Sequence, residues 1–202
     1  MRRDDAFTLV ELLVCIAVIG LLAGLLLPAL AHSILSARVA KAKVELNQIG
    51  TCLHLYHNDF ESFPPSVTYC ESMTDKLEDY NELPGELFDR NYLTREMPDV
   101  FNHGHSYKYK APGLGWANGS LSVLGLWVPR EFPEDSNYGR MYFRQSDSPV
   151  KWALWSMGPG GARTVFESDQ QHFPVRPNRW YPRDREGIIV RLYTGDDWIN
   201  SP

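Results

Sequence analysis

Apolar and polar residues alternate in two distinct regimes along this chain. From Leu12 to Ala31 runs a stretch of about 20 residues without a charge, enough to cross a hydrocarbon core of about 30 Å as an α-helix. Beyond it the apolar pattern narrows to a stripe. Leu35, Val39, Ala42, Leu46, Ile49, Leu53, Tyr56 and Phe60 are spaced alternately four and three residues apart. An average period of about 3.5 marks one helical face packed against a partner. Arg38, Lys41, Lys43, Glu45, Asn47 and Gln48 lie between these positions and are expected to face solvent. Pro64 and Pro65 end the segment, because proline disfavours helix in the residue before it. One helix from Phe7 to about Ser62 would be roughly 84 Å long.

After residue 65 the pattern changes to short runs between turn residues. Residues 66–105 are polar and read as a loop region with helical turns near Met73 to Tyr80. Strands are predicted over Ser106–Ala111, Leu121–Val128, Arg140–Gln145, Lys151–Ser156 and Gly187–Tyr193. Gly, Pro, Asn and Asp clusters separate them, as an antiparallel sheet requires. Such a sheet needs one apolar face covered, and the helical stripe can cover it. The predicted class is α+β: a long N-terminal helical spine packed on a small antiparallel sheet domain. A coiled-coil dimer would also use such a stripe, but a Pro/Gly-rich domain behind it favours packing within the chain.

Composition sharpens the division. Six Trp, ten Tyr and nine Phe lie almost wholly after residue 56, with most of the 14 Pro and 15 Gly. A net charge of -5 gives no case for a polyanion-binding protein, and no nucleic-acid partner is expected. Three cysteines, Cys15, Cys52 and Cys70, without CxxC spacing, argue against a zinc ribbon or a disulfide framework. Cys15 lies in the apolar run as a small packing residue. Cys52 and Cys70 could form a disulfide in an oxidising compartment, worth roughly 3 kcal/mol. His54 with His57, and His103 with His105, lack a recognised ligand spacing and read as solvated or interface histidines. No GxSxG, HExxH, P-loop or paired carboxylates in a catalytic spacing occur, so no enzyme is expected. Trp152 and Trp155 read as core or groove residues.

Three readings compete for the N-terminus. Arg2, Arg3 and Ala29-Leu30-Ala31 fit a cleaved secretory signal. A lipoprotein signal at Cys15 fails, because Val14 is not small and the apolar run continues. The third reading rests on residues 7 to 13, Phe-Thr-Leu-Val-Glu-Leu-Leu. This run resembles the start of type IV pilins and pseudopilins, whose leaders are cut on the cytoplasmic side. The resemblance implies cleavage between Ala6 and Phe7 by a prepilin peptidase, then N-methylation of Phe7. Glu11 becomes the fifth residue of the mature chain, the position of the family's hallmark acid, and Pro28 falls where the family often has a proline. Ala6 departs from the usual glycine before the cut. A helical stripe continuing past Ala31 also counts against cleavage there.

Glu11 has a physical role to play. A carboxylate in an apolar stretch costs about 3 kcal/mol at mid-bilayer and needs a partner. The α-amine freed at Phe7 is one, and a neighbouring subunit's amine would reward correct axial stagger. The bland alternative leaves Glu11 at the headgroup boundary. Ala17, Gly20 and Gly24 share a helix face, and Gly20-xxx-Gly24 allows close helix approach. Pro28 removes a backbone donor and is expected to kink or loosen the helix. Charge counting leaves the topology undecided, with Arg2 and Arg3 before the span and Arg38, Lys41 and Lys43 after it.

Two distal segments carry further resemblance. Trp152 to Gly161 looks like the strand and Gly-rich turn of major pseudopilins, and Tyr181 to Arg191 resembles the end of pilin-like proteins from secretion clusters. That turn can hold calcium in the family. Here Gly160 stands where its Asp is expected, with Asp169, Asp184 and Glu186 nearby in sequence. A hard cation needs 6 to 8 oxygens, so no ligands are assigned and no cofactor is expected, calcium remaining an alternative.

The expected organisation is a leader at 1–6, a transmembrane assembly helix at 7–31, its amphipathic continuation at 32–63 and a periplasmic or extracellular domain at 64–202. The resemblance implies a type II secretion pseudopilin. It would lie in the bacterial inner membrane with its N-terminus cytoplasmic. It would polymerise with copies of itself and other pseudopilins on an inner-membrane secretion platform to drive protein export. Two rivals remain: a type IV pilin or minor pilin serving adhesion, motility or DNA uptake, and a signal-anchored extracytoplasmic ligand-binding domain.

Overall fold

The apolar run and the stripe behind it form one helix, α1 (Leu9–Phe60), which passes through Pro28 without a break. The computed structural model describes residues 9–68, 81–94, 97–128, 139–160, 180–182 and 185–201. Met73 to Tyr80, where helical turns were expected, and Cys70 lie outside them. Two compact units divide within α1, Met1–Arg38 and Val39–Pro202. In the first, every described residue up to Ile34 is exposed. Among the described residues, α1 is the one helix long and apolar enough to cross a membrane. A helix satisfies its own backbone in lipid, so such a surface is stable there.

In the second unit the stripe behaves as its spacing predicts. Val39, Ala42, Leu46, Ile49, Leu53 and Tyr56 are all buried and Phe60 is exposed at the end of the helix; Leu35, which belongs to the first unit, is half-buried. One assignment fails: Glu45, expected in solvent, is buried on the packed side. After α1 come β1 (Ser66–Thr68), a short helix α2 (Glu86–Asp89), β2 (Lys108–Lys110), β3 (Gly113–Ala117) and β4 (Ser120–Leu124). β5 (Leu126–Val128), β6 (Arg140–Tyr142), β7 (Trp152–Ser156), β8 (Ile189–Tyr193) and β9 (Trp198–Asn200) complete the described elements.

The strands form three sheets where one was expected. The central sheet has the order β2-β7-β8-β9 and is antiparallel throughout. β5 and β6 pair antiparallel as a separate ribbon. The third sheet, β1-β3-β4, contains a parallel pair, β1 with β3, against the all-antiparallel expectation. The stretch Leu121–Val128 is not one strand: it breaks at Gly125, and its halves join different sheets. The other expected strands exist but are shorter, and β1, β3, β9 and α2 were not foreseen.

Alternation along the central strands explains how the core is built. Trp152 and Leu154 of β7 and Ile189 of β8 join the α1 stripe and Tyr107 and Tyr109 in one apolar cluster. Ala153 and Trp155 of β7 and Val190 and Leu192 of β8 point to the opposite face. There they pack with Leu126 and Val128 of β5. The sheet is therefore covered on both faces, which is why β7 is buried along its whole length. Each large side chain so buried contributes roughly 1.5–3 kcal/mol.

Candidate assembly site

The residues that the sequence marks for assembly lie on the exposed apolar part of α1. Glu11 occupies its first turn, where a carboxylate also benefits from the positive end of the helix dipole. Gly20 and Gly24 face open space: a methyl group built on either would meet no atom within 4 Å. Pro28 cannot donate to the carbonyl one turn back, yet the helix holds. One turn further, the Ser33 hydroxyl donates to the Ala29 carbonyl at 3.0 Å. Ala6 and Phe7 lie outside the described residues. The structure therefore places Glu11, Gly20, Gly24 and Pro28 on one solvent-facing helix and leaves the processing position undescribed.

The other end of α1 is fixed to the sheet by contacts that hydrophobic periodicity does not reveal. Gly50 lets the sheet approach the helix closely: a Cβ there would stand 3.0 Å from both Arg191 Nε and the Trp198 ring. The Arg191 guanidinium lies 3.9 Å over the Trp198 ring, donates to Asn200 Oδ1 at 2.8 Å, and also donates to Asn47 on α1. On the other flank of the stripe, the Tyr107 hydroxyl donates to Glu45 Oε2 at 2.5 Å. Burial, reinforced by that carboxylate, pushes the Tyr107 pKa far up, so the phenol stays protonated and remains a donor. Cys52 carries a free thiol, which donates to the Tyr92 carbonyl at 3.0 Å.

The Trp155-Ser156 segment has a structural explanation. The Ser156 hydroxyl donates to Asp99 Oδ1 at 2.6 Å, and the Met157 amide donates to Asp99 Oδ2 at 2.7 Å. Asp99 is buried, and its pKa is raised by that burial against the pull of these donors. The serine thus ties the end of β7 to the loop before β2. Trp152 and Trp155 are both buried, as core residues. In the turn beyond, Gly160 adopts a positive φ of 66° with the Glu186 side chain beside it. Asp169 and Asp184 lie outside the described residues. Among the described residues, no three of His, Cys, Asp and Glu gather where they could hold a metal ion. His54 packs against rings, and His105 Nδ1 lies 3.3 Å from Glu82 Oε1.

Sequence reasoning missed one surface. Leu114 and Trp116 of β3 and Leu121 and Val123 of β4 share an exposed face. Its signal was available: an Asn118-Gly119 pair flanked by alternating apolar residues marks a two-residue hairpin. Asn118 and Gly119 indeed have positive φ of 51° and 76°.

Comparison with known proteins agrees with this arrangement. Residues 1–27 match the prokaryotic N-terminal methylation motif, and residues 29–127 match the type II secretion system protein G family. The type II secretion system core protein G of Pseudomonas aeruginosa is 30% identical over 112 residues, covering 55% of this chain and 77% of that protein. Core protein G of Aeromonas hydrophila is 26% identical over 138 residues, 68% of this chain and 92% of that protein. Core protein G of Vibrio cholerae is 27% identical over 126 residues, 62% of this chain and 82% of that protein. No solved structure matches the chain. These matches favour a secretion pseudopilin over a pilus subunit or a ligand-binding domain behind a cleaved signal. The chain belongs to the type II secretion system protein G family of pseudopilins, which are structural subunits rather than enzymes.

Proposed function

We propose that this chain polymerises through α1 into a pseudopilin filament whose growth drives protein export. It would assemble with copies of itself and with other pseudopilins. The observation that carries the reading is the continuous exposed apolar surface of α1 from Leu9 to Ile34, interrupted by a single acid, Glu11. A surface of this extent needs either lipid or other helices around it. A subunit stored in a membrane and then stacked into a filament has both in turn.

In this reading a prepilin peptidase cuts between Ala6 and Phe7, and Phe7 is N-methylated. The positive charge at the new terminus is then available to Glu11 of a neighbouring subunit. An ion pair in an apolar bundle penalises any stagger that separates its partners. Gly20 and Gly24 admit close neighbours, and Pro28 lets the helix adapt locally. The chain sits in the inner membrane as a single pass, with its N-terminus cytoplasmic and its distal domain periplasmic, on an inner-membrane secretion platform.

Two measurements test this. N-terminal mass spectrometry is expected to find mature chains that begin at methylated Phe7; chains that begin at His32 defeat the reading. Glu11→Gln is expected to lower filament yield at least tenfold, with unchanged membrane insertion and an unchanged melting curve. Filaments and export at normal levels in Glu11→Gln remove the registering role.

A further inference from the structure

Beyond the apolar run of α1, exposed apolar side chains of the Val39–Pro202 unit concentrate in two places. One is the hairpin face already described, continued by Phe143. Leu114 stands opposite Val123 and Trp116 opposite Leu121, so the four form two cross-strand pairs on one face. Leu114, Leu121, Val123 and Phe143 are each more than half exposed, and Trp116 is 41% exposed. On the other face Gly115 is buried, and a Cβ there would stand 2.4 Å from the carbonyl oxygen of Ser66 in the paired strand β1. These five residues line an open groove of about 850 Å³ with Tyr56 and Phe63 at its edge. Their exposed apolar area is on the order of 500 Å², at the upper end for a chain that stands alone. It falls short of the roughly 800 Å² that each partner brings to a specific interface, as suits a contact between subunits already held together by α1.

The second place is the outer side of α1. Val44 and Leu55 are half-exposed or more, at 54% and 50%. Eleven residues make three helical turns, so both lie on one face about 16 Å apart. Gln48 and Thr51, exposed between them, carry no charge. A five-residue strand spans about the same length, at roughly 3.3 Å per residue.

We propose that the β3–β4 face of one copy docks on the Val44–Leu55 side of α1 in a second copy. This rests on the filament reading above and names the contact between its distal domains. A filament repeats one operator, so the surface offered by each subunit meets a different surface on the next. Among its described residues this unit carries two such surfaces. Both carry exposed apolar side chains and they match in length, with Glu86 and Arg144 among the residues lining the first and the uncharged Gln48 and Thr51 lying within the second. A face that met its own copy would close a pair and stop growth.

The test uses the full chain in membranes, with Cys15, Cys52 and Cys70 changed to Ser. Ser at position 52 keeps a donor for the Tyr92 carbonyl. Under mild oxidation, Leu121→Cys with Leu55→Cys is expected to give a ladder of dimers, trimers and higher multimers, and either cysteine alone to stay monomeric. Dimers from Leu121→Cys alone would put the face against itself and overturn the proposal. A second variant, Leu121→Asp with Val123→Asp, is expected to lower the polymer fraction at least tenfold without changing the melting curve, since both positions are exposed. Polymer at the unaltered level in that variant overturns the docking contact and leaves the filament reading standing. An unaltered chain that forms no polymer defeats both.

Discussion

His54 carries a pH dependence with an identifiable cause. Its ring packs against Tyr193 at 4.4 Å and Trp198 at 4.5 Å between centroids, with Phe63 and Trp152 farther out. Its Nε2 is buried with no hydrogen-bond partner among the described residues. Burial lowers its pKa from the ordinary 6.5, and the charges of His57 on α1 and Arg191 on β8 lower it further. The folded chain therefore takes up this proton at lower pH than the unfolded chain does. His54 adds no pH dependence above about 6.5, and stability falls as pH drops from there through the lowered folded value. Asp99 acts in the opposite sense, because its raised pKa makes the folded chain gain stability as pH falls toward 3.8. Urea melts from pH 8 to 5 are expected to show a decline that His54→Gln flattens; an equal slope in that variant would assign the decline elsewhere. At this scale the sequence was least legible. Glu45 was read as solvent-facing because a charge in an amphipathic pattern normally is. What reverses that is a phenol 62 positions away, and a buried carboxylate persists only with such a partner.

Among the elements, α1 was the most legible, because its period repeats over many turns and each turn adds evidence. The inner and outer sides of its second half give opposite expectations. Leu46 is 1% exposed, so Leu46→Ala loses buried area and leaves a cavity, for about 2–5 kcal/mol. Leu55→Ala, on the exposed side, is expected to stay within about 0.5 kcal/mol. Chemical denaturation of the two variants checks the difference, and equal losses would contradict the packed stripe. Strands were less legible for separate reasons. β1 and β9 are three residues each, too short to establish a period of two. β3 reads Gly-Leu-Gly-Trp-Ala, and its glycines hide it as a turn. The break at Gly125 and the parallel pairing of β1 with β3 are set by tertiary partners, which a local pattern does not contain. β7 is legible as a short run between turn residues, but the coverage of both its faces follows only from β5, which sits in a different sheet.

For the whole molecule, the exposed apolar run and the buried core fall in different units. Every buried core side chain among the described residues lies at Val39 or beyond, in two clusters that draw nothing from the apolar run. Residues 9–34 bury no side chain. Removing residues 1–32 deletes no core contact, and it leaves Ser33, a good N-cap residue, at the start of the remaining helix. The shortened chain is expected to unfold cooperatively in buffer without detergent, with stability within about 0.5 kcal/mol of the full chain in micelles. It is also expected to remain monomeric. An apolar contact on the order of 500 Å² per copy is smaller than a specific interface usually needs, so it orders subunits already brought together without gathering them from solution. Sedimentation velocity over a range of concentrations checks this against the full chain in the membrane. A shortened chain that polymerises as readily would move the driving force out of α1 and into the distal domain. A shortened chain that fails to fold would show that the apolar helix supports the core as well as the filament.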